Sequence, residues 1–92
     1  KQDSKVDVKR PPMYKVIIYN DDYTTMQFVV DVLIKIFKKS AVEATQIMYD
    51  VHRKGMGIAG VYVYDIAATK MAQAISMARN SGFPLKFSME EE

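Results

Sequence analysis

The stretch Pro11-Pro12-Met13-Tyr14-Lys15-Val16-Ile17-Ile18-Tyr19-Asn20-Asp21-Asp22-Tyr23-Thr24-Thr25-Met26 decides how this chain is read. Val16 and Ile18 alternate with Ile17, which predicts a strand from Tyr14 to Tyr19 with two faces of unequal burial. The strand runs straight into an acidic turn, and a helix begins on its far side. One Asx residue is enough to make a turn, so the run Asn20-Asp21-Asp22 exceeds the structural need. Such a cluster at a strand end suits a cation or an ammonium group. It equally suits plain turn duty, because Asx side chains satisfy free N–H groups at a helix entrance and complement its positive end.

Outward from this stretch, the remaining elements follow from capping and periodicity. Thr24 with Gln27 reads as a capping box, and Tyr23 and Phe28 as its hydrophobic staple. Met26, Val29, Val30, Leu33, Ile36 and Phe37 recur at helical spacing, with Lys35, Lys38 and Lys39 at the C-terminal end, where the helix dipole favours cations. Ser40 and Glu43 start a second helix whose stripe is Ala44, Ile47, Met48 and Val51. Gly55 is its expected left-handed terminator. After a Gly55-Met56-Gly57 turn, a second strand is expected over Ile58 to Tyr64, with Ala59, Val61 and Val63 alternating against Gly60, Tyr62 and Tyr64. Asp65 is the expected cap of a third helix, striped by Ala67, Met71, Ala74, Ile75 and Ala78. Asn80-Ser81-Gly82 and Pro84 end it. Leu85, Phe87 and Met89 alternate with Lys86, Ser88 and Glu90 in a third strand. The order β-α-α-β-α-β implies an α+β domain, a three-stranded antiparallel sheet packed against three helices.

Composition narrows the classes. Ninety-two residues, 49% hydrophobic and 26% charged, make one ordinary soluble globular domain. With no cysteine, disulfides and thiolate chemistry are excluded, which is compatible with a reducing compartment. No apolar run approaches the roughly 20 residues of a membrane span. Residues 1–10 hold Lys1, Lys5, Lys9 and Arg10 against Asp3 and Asp7, so they account for the whole formal charge of +2. No basic face of the kind that grips nucleic acid is left. Residues 1–12 lack periodicity and end in Pro11-Pro12, so they read as a flexible tail before a core domain over 13–92. The first residue is Lys1, and further residues upstream are expected.

Few side chains are placed for chemistry. His52, the single histidine, follows Val51 and lies one turn beyond Met48, on one helix face. It is either a satisfied boundary residue or the polar tip of a small apolar pocket, where neutral imidazole accepts a hydrogen bond. Met26 and Met48 are either core filler or adaptable pocket wall. A calcium loop's ligand spacing is missing, and one histidine without cysteine is no zinc set. An enzyme would need His52 and an Asp as an acid–base couple with no visible nucleophile, since no P-loop, nucleophile elbow or HExxH is present.

Pro12-Met13-Tyr14-Lys15-Val16, then Asn20-Asp21-Asp22-Tyr23-Thr24 and Met26, resembles the ClpS family, adaptor proteins of the bacterial N-end rule pathway. Ala44 through Met48 with Val51-His52, Gly60-Val61, Asp65 through Thr69-Lys70, and Pro84-Leu85 continue the likeness to about residue 89. The resemblance implies an adaptor and no enzyme or cofactor. Family members bind N-degron substrates beginning with Leu, Phe, Tyr or Trp and deliver them to the ClpA unfoldase of the ClpAP protease. It implies that Asn20, Asp22 and His52 hold the substrate's α-amino group, with Asp21 adding negative potential. Ile18, Thr24, Met26, Val29, Met48, Val51 and Leu85 would line the side-chain pocket, Met26 acting as a gate against β-branched residues. Asp65 and Lys70 would dock on the unfoldase N-terminal domain, and the tail would take part in delivery. A cytoplasmic monomer with no nucleic-acid or membrane partner is expected. Thr25 stands where the family commonly has proline, and Asp65 where glutamate is commoner. The strand–helix order also resembles the C-terminal domain of the bacterial ribosomal stalk protein, which leaves a general protein-interaction or ribosome-associated module as the alternative.

Overall fold

A computed structural model of the chain describes residues 10–92, so the tail expected over 1–12 lies largely outside the described residues. Arg10, Pro11 and Pro12 are exposed and precede the first strand. The elements are β1 (Met13–Tyr19), α1 (Met26–Lys35), α2 (Ala41–Lys54), β2 (Met56–Val63), α3 (Tyr64–Asn80) and β3 (Lys86–Glu91). This is the expected order. The sheet runs β2-β1-β3 with both pairings antiparallel, which puts the strand carrying the Asx run in the centre.

Burial explains the layering. Val16 and Ile18 of β1 are fully enclosed together with Val32 and Leu33 of α1, Ala44 of α2, and Ala67 and Ala74 of α3. The buried residues of α3 are alanines, which let that helix lie close to the sheet. Ile17 points to the opposite face yet is only 2% exposed. On that face its neighbours are Lys15, ion-paired with Glu90 at 3.7 Å, and Tyr19, whose hydroxyl meets the Ser88 hydroxyl at 2.8 Å.

Several local expectations need correction. Helix α1 is capped by Thr25 and not Thr24: the Thr25 hydroxyl accepts from the Phe28 N–H at 3.1 Å. Gln27 therefore completes no box, and its amide donates to Asp31 instead. Tyr23 is 77% exposed and staples nothing. The buried stripe of α1 is rotated to include Phe28 and Val32, leaving Met26 44% exposed. Asp65 is not the cap of α3, which begins at Tyr64, two residues earlier than that cap implies, after Val63 with no side-chain cap. In β2 the pairing with β1 slips between Val16 and Ile17, so Ala59 bulges and its alternation with Val61 and Val63 fails. Gly60 and Tyr62, paired with Val16 and Tyr14, therefore face the helices, while Val61 and Val63 fall on the open face. Helix α2 keeps the box expected of it: Ser40 Oγ accepts from the Glu43 N–H at 3.1 Å, and the Glu43 carboxylate accepts from the Ser40 N–H at 3.3 Å.

Among the described residues no helix is long and apolar enough to cross a membrane.

Candidate functional site

The end of β1 is tied to the end of α2 by one backbone bond. The Asn20 N–H donates to the Gly55 carbonyl at 2.9 Å. Gly55 sits at a φ of 90°, the left-handed region that a Cβ disfavours, and stops α2 one turn after it has presented His52. The Asx corner and the histidine are thereby brought side by side from distant parts of the sequence.

Asp21 shapes the corner. One carboxylate oxygen accepts from the Tyr23 N–H at 2.8 Å and the Thr24 N–H at 2.7 Å, and the other accepts the Thr24 hydroxyl proton at 2.7 Å. Partial burial pushes the Asp21 carboxyl up, but these hydrogen bonds outweigh it and hold the group below its ordinary 3.8. Three of its roughly four acceptor sites are spent inside the turn, so Asp21 contributes chiefly charge at the corner. Thr24, having given its proton away, turns only lone pairs outward.

Between the corner and the first two helices lies a hollow of about 260 Å³. Asn20, Asp21, Asp22, Thr24 and His52 border it on the polar side. Val29 of α1 and Met48 and Val51 of α2 form an apolar floor, each less than 9% exposed, and half-exposed Met26 stands at the mouth. The volume falls below the roughly 300–1,000 Å³ of pockets for drug-sized ligands and suits a single amino-acid side chain. The rim groups are a carboxylate, an amide, a hydroxyl oxygen and an imidazole, acceptors that suit a donor-only cation. Among the described residues no group of three or more His, Cys, Asp or Glu side chains is placed to hold a metal ion.

Two residues expected in the wall lie elsewhere. Ile18 is enclosed in the core behind the hollow, and Leu85 is 6% exposed in the same core cluster. Neither lines the hollow. The two residues expected to dock a partner differ in setting. Asp65 is exposed in the first turn of α3. Lys70 is half-buried: its ammonium donates to the Ile36 carbonyl at the end of α1 at 2.9 Å and lies 5.3 Å from the centre of the Tyr62 ring. Five residues apart on α3, the two point about 140° away from each other around the helix axis. Burial in this region also pushes the Tyr62 hydroxyl above its ordinary 10.0. Arg53 and Lys54, which follow His52, each engage a side chain one turn back on α2: Arg53 stacks 4.9 Å over the Tyr49 ring, and Lys54 pairs with Asp50 at 3.8 Å. Sequence reading missed the Asn20–Gly55 bond and the tie from Lys70, which join residues far apart in the chain. The cap at Thr25 was missed because Thr24 beside it offers the same hydroxyl.

A sequence model described as ATP-dependent Clp protease adaptor protein ClpS matches residues 9–88. The ATP-dependent Clp protease adapter protein ClpS of Acetivibrio thermocellus is 58% identical over 92 residues, covering 100% of this chain and 93% of that protein. The protein of the same name from Syntrophus aciditrophicus is 60% identical over 84 residues, 91% of this chain and 78% of that protein. Among solved structures, Agrobacterium tumefaciens ClpS2 bound to L-phenylalaninamide superposes with a TM-score of 0.86 at 41% identity, over 90% of this chain and 100% of that chain. With a match over most of its length and relatives this similar, the chain belongs to the ClpS family, adaptors of the ATP-dependent Clp protease.

Proposed function

We propose that the hollow receives the first residue of an N-degron substrate, gripping its free α-ammonium at the rim and its side chain on the floor, and that the chain hands such substrates to a ClpA-type unfoldase without turnover of its own. The observation that carries this reading is the joining of an acceptor-bearing rim (Asn20, Asp22, Thr24, His52) to an apolar hollow of about 260 Å³. A terminal ammonium offers three donors and a positive charge, whereas an internal peptide nitrogen offers one neutral donor at most, so the rim discriminates between them. The floor rewards large apolar side chains with about 1.5–3 kcal/mol each. Met26 at the mouth disfavours β-branched residues, whose bulk sits stiffly next to the backbone. The relative bound to L-phenylalaninamide, a ligand with a free amine and a benzyl group, supports the same reading. Asn20, Asp22 and His52 are the proposed ammonium ligands, with Asp21 supplying potential. Exposed Asp65 is the proposed contact for the unfoldase N-terminal domain.

The test uses peptides differing only at residue one, each with a free or an acetylated α-amine. Free peptides beginning with Leu, Phe, Tyr or Trp are expected to bind, with Val and Ile weaker. Acetylation is expected to abolish binding. Equal binding of free and acetylated forms would overturn the reading and favour a general interaction module.

A further inference from the structure

We infer that Gly57 fixes the depth of the hollow, and with it the size of first residue that fits; the inference rests on the site being a first-residue pocket. Gly57 is buried in β2 opposite Ile18. A methyl group there would lie 2.9 Å from Val51 Cγ2, 3.3 Å from the Ile47 carbonyl oxygen and 3.4 Å from Ile47 Cγ2. Carbon atoms rest about 3.5–4.0 Å apart, so the first contact is a clash. Val51 has little room to turn away, because a β-branched residue in a helix keeps one strongly preferred χ1. The Ile47 oxygen moves only if the helix backbone moves. Val51 stands between Gly57 and the hollow. A side chain at 57 therefore drives the Val51 side chain into the hollow. The two glycines, Gly55 at the end of α2 and Gly57 within β2, thus serve different ends. A Cβ at Gly55 would meet nothing within 4 Å, so that glycine is needed for its φ, whereas Gly57 is needed for its lack of a side chain.

The experiment measures affinities for Leu-initiated and Trp-initiated peptides in the unsubstituted chain, G57A, V51A and V51A/G57A. In G57A the Trp-to-Leu affinity ratio is expected to fall by about tenfold, the scale on which a pocket registers one methylene. In the V51A background the same glycine change is expected to leave the ratio unaltered, because Cγ2 is gone. The demand for a free amine is expected to survive in all four proteins. An unaltered ratio in folded G57A, or an equal shift with and without Val51, would overturn the inference. If G57A alone does not fold, V51A/G57A must still fold and bind as V51A does, and its failure to do so is equally fatal. An unsubstituted chain indifferent to acetylation would instead defeat the reading of the site, and this inference with it.

Discussion

Three donors converge on the Asp21 carboxylate, so removing it should loosen the corner that carries Asn20 and Asp22. Asp21→Ala is expected to cost about 1 kcal/mol, near the low end for bonds to a charged acceptor because water reaches the turn. The sign of its pH dependence follows from a folded pKa below 3.8. The contribution is fully present above that value and is lost as pH falls through the lower folded one. Urea midpoints of the two proteins should therefore differ at neutral pH and converge in strong acid; a gap that widens on acidification would contradict this role. His52 behaves differently. It is exposed at the end of α2 and borders the hollow, so His52→Ala is expected to lower peptide affinity about tenfold or more, the scale of a hydrogen bond to a charged group. Its urea midpoint should stay where it was, and a large stability loss would mark His52 as a packing residue instead.

At the scale of elements, the entrance to α1 shows how one residue can do a job by two routes. The Thr25 hydroxyl caps the helix, and Thr25→Ala is expected to cost about 1 kcal/mol. Thr25→Pro loses the same cap, but the Thr25 φ of −73° already matches the value a pyrrolidine ring imposes. The entropy removed from the unfolded chain, roughly 0.4–1 kcal/mol, offsets most of the loss. Thermal melts should rank the unsubstituted chain and T25P close together with T25A clearly below. T25P falling to the level of T25A would show that the hydroxyl alone matters. The corner itself was legible in sequence because an Asx run before a helix has few local alternatives. Which of two adjacent threonines caps was not legible, since both satisfy the same local rule and only the path of the backbone chooses.

At the scale of the whole molecule, Lys70 joins α3 to the end of α1 through the Ile36 carbonyl and the Tyr62 ring. Lys70→Met is expected to cost about 1–2 kcal/mol from the lost charged hydrogen bond and cation–π contact, visible in a urea melt. Asp65→Ala should leave peptide affinity unaltered and weaken unfoldase-dependent degradation. A K70M protein as stable as the unsubstituted chain, and impaired only in delivery, would return Lys70 to the docking surface. Periodicity and turn residues determined the element order and most of the core, because these depend on neighbours within a few positions, whereas the central place of the strand that leads into the Asx run rests on pairings between remote strands. The open face given to Val61 and Val63 follows from the bulge at Ala59, a matter of register between strands far apart in sequence. The withdrawal of Ile18 and Leu85 into the core follows from how sheet and helices stack. The chain's own residues thus supplied the acceptors and the apolar wall, but only tertiary packing decided that they share one hollow, because the backbone bond from Asn20 to Gly55 forms when the folded sheet brings two remote chain segments into contact.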